Sequence, residues 1–213
     1  MNKKMIICLL VASLMLHVFS GCMEEKIKTE IKLPDITGKN VVLIIAHNGF
    51  NYKELIDVKD ALESANASVY VASTSTSTAT SSTQETYMPD LNISMVNLSL
   101  YDAIVFIGGP GVENHFLDHT FVYLAYDAFL QDKVVAAICI APCILANAGI
   151  LNGRNATVYP METYISIVEE NGGHYVDEKV VVDGNIITCN GPDAAWSFGA
   201  KIVGVLAQKN TNN

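Results

Sequence analysis

Cysteine is scarce in this chain of 213 residues, and it is not arranged for pairing or for metal. Cys8, Cys22, Cys139, Cys143 and Cys189 include no Cys-x-x-Cys and no metal-ligand spacing. A disulfide framework is therefore not what they serve. One bridge plus one free thiol stays open if the chain works outside the cytosol. Basic residues are also few, 13 Lys and Arg against 22 Asp and Glu, for a net charge of −9. That balance argues against nucleic acid as a partner and against a polybasic membrane patch. No apolar run is long enough to cross a bilayer as a helix; Met5 to Leu16 is about a dozen residues. No glycine-rich segment carries the Lys-Ser/Thr of a P-loop or the spacing of a dinucleotide fingerprint, and no internal repeat is visible. No cofactor is called for.

What is present begins with an export pattern. Lys3 and Lys4 precede the Met5–Leu16 run, as in a signal peptide. Phe19-Ser20-Gly21-Cys22 places small residues just before a cysteine and resembles a bacterial or archaeal lipobox. The resemblance implies cleavage before Cys22 and a lipid on its thiol. The alternative is an ordinary signal cut nearby, with Cys22 left free. Residues 1–21 are thus expected to be a signal peptide, and 22–39 a lipidated cysteine with a charged tether. The domain would be exported and membrane-anchored on the outer side of the cytoplasmic membrane.

Residues 40–208 read as one domain and 209–213 as a tail. Half of the chain is hydrophobic, enough for one sizeable core. Val41–Ala46, Ala103–Ile107 and Val134–Ile138 are apolar runs suited to buried strands, and Ser68–Ser73 reads as a further strand. Helical spacing follows in Tyr52–Ala65, Val112–Leu130, Pro142–Gly149, Met161–Glu170 and Pro192–Leu206. Asp183-Gly184 marks a hairpin between Lys179–Val182 and Asn185–Thr188. Thr74–Thr83 reads as a solvated Ser/Thr loop, Ile93 and Val96 as a short edge strand, and Thr157–Tyr159 as another short strand. Alternating strands and helices predict an α/β fold: a doubly wound, three-layer, flavodoxin-like sandwich with a mostly parallel sheet.

Ligands of such a sheet bind beyond the carboxyl ends of its strands. Cys139 stands there, in Ala137-Ile138-Cys139-Ile140-Ala141-Pro142. Small residues two before and two after are what a nucleophile elbow needs, because its tight turn brings backbone close to both. The turn would aim the thiol at the N-terminus of the next helix, which favours thiolate, so a depressed pKa is expected. The competing reading is a buried structural cysteine. Gly108-Gly109, after another strand, is either a plain turn or part of the same pocket. His47, after the first strand, could line it. His115, Asp118 and His119 have a spacing that can bind zinc, but no third ligand is evident and a solvated helix face is the better reading. Sequons stand at Asn66, Asn92, Asn97 and Asn155.

Several segments in order carry a resemblance. They are Tyr101-Asp102-Ala103 with Gly108-Gly109; Ala136–Cys139 with Pro142, Ala148–Leu151 and Gly153-Arg154; and Asp183–Thr188 with Gly191-Pro192 and Phe198. From about Asn40 to Gln208 the chain resembles the ThiJ/PfpI family of the class I glutamine amidotransferase-like superfamily. The resemblance implies a Cys139 nucleophile paired with a glutamate on the helix after the first strand, and Gly49–Leu55 puts Glu54 there. Without the family, Glu54 would be an ordinary first-turn helix glutamate. The backbone N–H groups of Gly109 and Ile140 become the oxyanion donors, and Gly108, Tyr159, His47 and Asn190 line the pocket. Oligomers are common in the family, so a homo-oligomer is expected.

The chain departs from the family where histidines are usual. Ile140 directly follows the cysteine, Tyr159 precedes Pro160, and Cys189-Asn190-Gly191-Pro192 replaces a Ser-Arg-Gly-Pro segment. No His-x-Glu pair follows Cys139, which argues against a glutamine amidotransferase triad. What is left is a Cys/Glu pair. The expected function is glyoxalase- or deglycase-like chemistry on small reactive carbonyls or their adducts, with amide hydrolysis of a peptide second. The alternatives are a protective protein whose Cys139 oxidises without turnover, and a ligand-binding module.

Overall fold

A computed structural model describes residues 32–211. The expected signal peptide and the lipid on Cys22 fall outside those residues. Among the described residues no helix is long and apolar enough to cross a membrane.

The four strands expected from the sequence form the centre of the fold. Strands β1 (Asn40–Ile44), β3 (Ser68–Ser73), β7 (Ala103–Phe106) and β8 (Val134–Ile138) pair in parallel. With β6 (Leu91–Asn92), β11 (Val180–Asp183) and β12 (Ile186–Cys189) they make a seven-stranded sheet of order β11-β12-β8-β7-β1-β3-β6. Only β11 runs antiparallel in it. β7 and β8 are buried along their whole length, so both sheet faces are covered. Helices α1 (Tyr52–Glu63) and α5 (Ala195–Thr211) pack on each other so closely that a Cβ on Gly199 would lie 2.6 Å from that of Ala61. Helices α2 (His119–Leu130) and α3 (Pro142–Asn147) lie against β8, and α4 (Glu162–Glu170) against α3. The doubly wound, mostly parallel α/β sandwich is as expected.

The strand order decides where a site can form. From β1 the chain moves outward to β3 on one side, then returns to place β7 on the other side. The loops leaving β1 and β7 therefore diverge, and such a switch point is where a doubly wound sheet places its ligands. Glu54 follows β1, Gly108 follows β7, and Cys139 follows the neighbouring β8.

Several local expectations are corrected. The Ser/Thr segment is not one open loop: β4 (Ala79–Ser81) pairs in parallel with β2 (Asn48–Phe50) and antiparallel with β5 (Thr86–Tyr87). Its small side chains allow this, since Ala79 and Ser81 are buried. Ile93 begins a 3₁₀ turn, and the edge strand is Leu91–Asn92. Asn92 and Asn97 accept the N–H groups of Ser94 and Ser99, offering the backbone an alternative to a strand ladder. Val112–Leu130 is broken into a 3₁₀ segment, Pro110–His115, and α2, which Asp118 caps. The short strand near 157 is β9 (Asn155–Ala156), paired with β10 (His174–Tyr175). Thr157 instead donates its N–H to the Thr188 hydroxyl. The hairpin loop is Gly184-Asn185, because Asp183 pairs with Ile186. Both domain limits also move. Ile36, placed in the tether, is fully buried and donates to the Ala65 carbonyl, and residues 209–211, placed in the tail, continue α5.

Candidate active site

β8 ends at Ile138, and Cys139 follows with a φ of +65°. A residue with a Cβ adopts that backbone at a cost of about 1–2 kcal/mol. Three hydrogen bonds hold the turn. Cys139 N–H donates to the Cys189 carbonyl at 2.8 Å, Tyr159 N–H donates to the Cys139 carbonyl at 2.8 Å, and Ala141 N–H donates to the Ile138 carbonyl at 3.1 Å. Ala137 and Ala141 are fully buried, so larger side chains would not fit there. This is the expected elbow, with its strain held by neighbours on both sides.

Glu54 reaches the elbow from α1. Asn51 caps that helix, its side-chain oxygen accepting Glu54 N–H at 3.2 Å. Asn-x-x-Glu is a capping-box pattern, in which the glutamate normally turns back to accept the N–H of the cap residue. Here Asn51 N–H donates to the Gly108 carbonyl at 2.9 Å, and the glutamate is released from that duty. Glu54 turns inward, is fully buried, and accepts Gly108 N–H on Oε2 at 3.0 Å. The ordinary first-turn glutamate is thereby excluded. Gly108 must be glycine, because a Cβ there would sit 2.5 Å from the Cβ of Cys139 and 2.7 Å from Glu54 Oε2. Gly109, at φ +111°, would collide with the backbone of Gly49 and Asn51 if it bore a side chain.

The thiol and the carboxyl group are neighbours. Each shifts the titration of the other. Glu54 Oε1 is buried without a hydrogen-bond partner among the described residues. Burial raises the Glu54 pKa from 4.5 to about 7, against the lowering effect of the contacts from Cys139 and Gly108. Cys139 does not show the expected depression. Burial pushes its thiol well up, and so does the charge of Glu54, while the N–H groups of Gly109 and Ile140 pull it down. The physical reason is that α3 has only six residues and the sulfur is largely enclosed, so desolvation outweighs the helix terminus. Cys143 and Cys189 are buried free thiols as well, both pushed up to about 12 by burial. Position, rather than acidity, separates Cys139 from them.

The structure brings together Cys139, Glu54, Gly108, Gly109 and Ile140. Tyr159 joins through its N–H, and its half-exposed ring packs edge-on against Tyr164 at 6.4 Å. Asn190 directly follows Cys189, whose carbonyl receives the elbow N–H, and its own N–H donates to Lys179. His47 is not brought in. Its Nε2 meets the Ser77 hydroxyl at 3.3 Å, so it belongs to the Ser/Thr segment. His115 stacks on Phe121 and contacts Asp118, and no group of three ligands that could hold a metal occurs among the described residues. Cys143 contacts the Tyr164 carbonyl at 3.9 Å, a packed position. Sequence reasoning missed Asn51, whose capping-box spacing was legible. It also missed Tyr164 and Glu113, which are hydrogen-bonded across 51 positions and left no local signal.

The DJ-1/PfpI family model matches residues 39–204. The chain belongs to that family. It is 34% identical over 167 residues to the Deglycase PH1704 of Pyrococcus horikoshii, covering 78% of this chain and 98% of that one. It is 26% identical over 168 residues to the glutathione-independent glyoxalase DJR-1.2 of Caenorhabditis elegans, covering 79% of this chain and 89% of that one. Among solved structures, the ThiJ/PfpI domain protein of Brachyspira murdochii superposes with a TM-score of 0.77 at 34% identity, over 80% of this chain and 99% of that one.

Proposed function

We propose that this family member is a cysteine-dependent enzyme acting on small reactive carbonyls or their adducts, in the manner of a deglycase or glyoxalase. The observation that carries the reading is the strained Cys139 elbow with a buried carboxyl group, titrating near neutrality, against its sulfur. Relatives named for deglycase and glyoxalase activities support it.

Cys139 Sγ adds to the carbonyl carbon, forming the C–S bond as the C=O π pair moves to oxygen. The thiol proton passes to the Glu54 carboxylate, whose pKa of about 7 suits it to accept and return a proton at neutral pH. The Gly109 and Ile140 N–H groups, which face the sulfur in the resting site, stabilise negative charge there before addition. The oxyanion formed beside them takes over those donors. With a dicarbonyl, the carbon bearing sulfur still carries an acidic hydrogen. Glu54 returns the thiol proton to the adduct oxygen, then carries the carbon-bound hydrogen as a proton to the neighbouring carbon while the hydroxyl proton passes to the second carbonyl oxygen, and water cleaves the resulting hydroxy-thioester to a hydroxy acid and the free Cys139 thiol. With no histidine next to Cys139, Glu54 is the proton carrier of the scheme.

The test is turnover of methylglyoxal and of its arginine adduct by wild type and by Cys139→Ala. A loss of about 10³-fold or more is expected for a missing nucleophile. A Cys139→Ala variant as active as wild type would refute the proposal. A second reading rests on the same donors. The Gly109 and Ile140 N–H groups together with Glu54 would also hold the oxygens of a Cys139 sulfinate. In that case mild peroxide oxidises Cys139 before Cys143 or Cys189, and wild type shows no turnover.

A further inference from the structure

At the other end of the sheet a cleft of about 510 Å³ opens beside the β11–β12 hairpin loop. Asp132 precedes β8 and Asn185 precedes β12, so the cleft lies at the amino ends of the strands whose carboxyl ends carry Cys139 and Cys189. Its walls bear Arg154, the single arginine of a chain with net charge −9, and Lys209. Both cations are held in place. The Arg154 guanidinium lies over the Phe129 ring at 5.4 Å and gives one Nη1 hydrogen bond to Asp183 at 2.9 Å. Lys209 Nζ donates to the Asp132 carbonyl and to its Oδ2 at 2.6 Å. Asp132 presents those two oxygens from a left-handed backbone, φ +54°.

Neither cation is used up. Nη1 makes the one Arg154 hydrogen bond found among the described residues, so most of the five N–H donors of a guanidinium stay available to the cleft. Lys209 retains a donor beyond the two that Asp132 receives. Gly184 of the hairpin loop, at φ +62°, forms part of the lining. An ion-paired surface alone requires no such opening between two braced cations.

We propose that this cleft binds a small dianion, a compact ligand with two anionic oxygens such as a phosphate ester or a dicarboxylate. One oxygen meets the Arg154 fork and the other meets Lys209. The site is independent of Cys139 and does not rest on the enzymatic reading. The experiment is calorimetric titration of the full chain at low salt with inorganic phosphate, glycerol 3-phosphate and malonate in separate runs. Wild type, Lys209→Gln and Arg154→Lys are compared, with circular dichroism checking that each is folded. Saturable one-site binding is expected, weakened about tenfold in either variant, as loss of one charge-assisted contact implies. Binding of the phosphates alone assigns a phosphate ester, and binding of malonate alone a dicarboxylate. Heat with none of the three, or affinity unchanged in Lys209→Gln, overturns the proposal. Should Arg154→Lys fail to fold, Lys209→Gln decides it.

Discussion

The two ends of the sheet handle charge in opposite ways. At the carboxyl ends, Cys139 and Glu54 are enclosed, and what meets them is backbone: the N–H groups of Gly108, Gly109 and Ile140. At the amino ends, Arg154 and Lys209 meet carboxylates across half-exposed ion pairs. Backbone donors cannot rearrange, so the enclosed end fixes geometry closely and forces pKa values to move. Exposed side-chain pairs are worth little each and yield to a better partner. On the two readings proposed above, the first end shifts protons and the second exchanges ligands.

Gly108→Ala is the sharpest way to break this contrast. The added Cβ would stand 2.8 Å from the Ile138 carbonyl, and backbone cannot step aside. A displacement of about 1 Å at the thiol should cost about 10²-fold in turnover, read as kcat/KM on methylglyoxal. Gly184→Ala at the opposite end meets ordinary contact distances and carries only the positive-φ penalty, about 1 kcal/mol by urea denaturation. Equal losses in the two variants would erase the distinction.

Glu54→Gln tests the enclosed charge. The folded pKa of about 7 lies above the ordinary 4.5, so the fold binds this proton more tightly than the unfolded chain does. Its contribution is fully present below pH 4.5 and is lost as pH rises through 7. Glu54→Gln should therefore exceed wild type in stability at pH 8 by about 3 kcal/mol, with a flat profile between. The same change removes the charge that opposes Cys139 ionisation, so iodoacetamide labelling of Cys139 at pH 8 should quicken while turnover falls. Slower labelling would mean that Glu54 assists the thiolate in the resting state.

Asn51→Ala should cost about 1 kcal/mol as a lost helix cap. It should also lower turnover more than a remote cap would, because the cap orients Glu54. A turnover equal to wild type would show that Gly108 alone holds the carboxyl group. The smallest effect belongs to an exposed helix pair. Lys59→Ala, which breaks its bridge to Glu63, should change stability by about 0.3–0.5 kcal/mol and leave turnover untouched.

Much of this was legible in the residues themselves. Continuous apolar runs gave β1, β7 and β8 nearly to the residue, because a strand buried on both faces has no polar interruption. Ala137 and Ala141 announced the elbow, since only small residues fit around it. The pairing of Glu54 with Cys139 came from a family resemblance, as no spacing of 85 positions along a chain implies a contact. The small strands β2, β4 and β5 were illegible because their pairing is set by where β1 ends, and Thr and Ser suit loop and strand alike.

By itself the sequence determined the layers of the fold, the place of the strand ends, and the residue at the turn after β8. These follow from local pattern: burial period, small residues at a tight turn, glycine where the backbone must approach. Only the tertiary structure decided the chemistry of those residues. Enclosure by the sheet and its helices turned Glu54 into a group titrating near 7 and drove the Cys139 thiol up instead of down. Desolvation depends on what surrounds an atom in space, and that is not written in its neighbours along the chain.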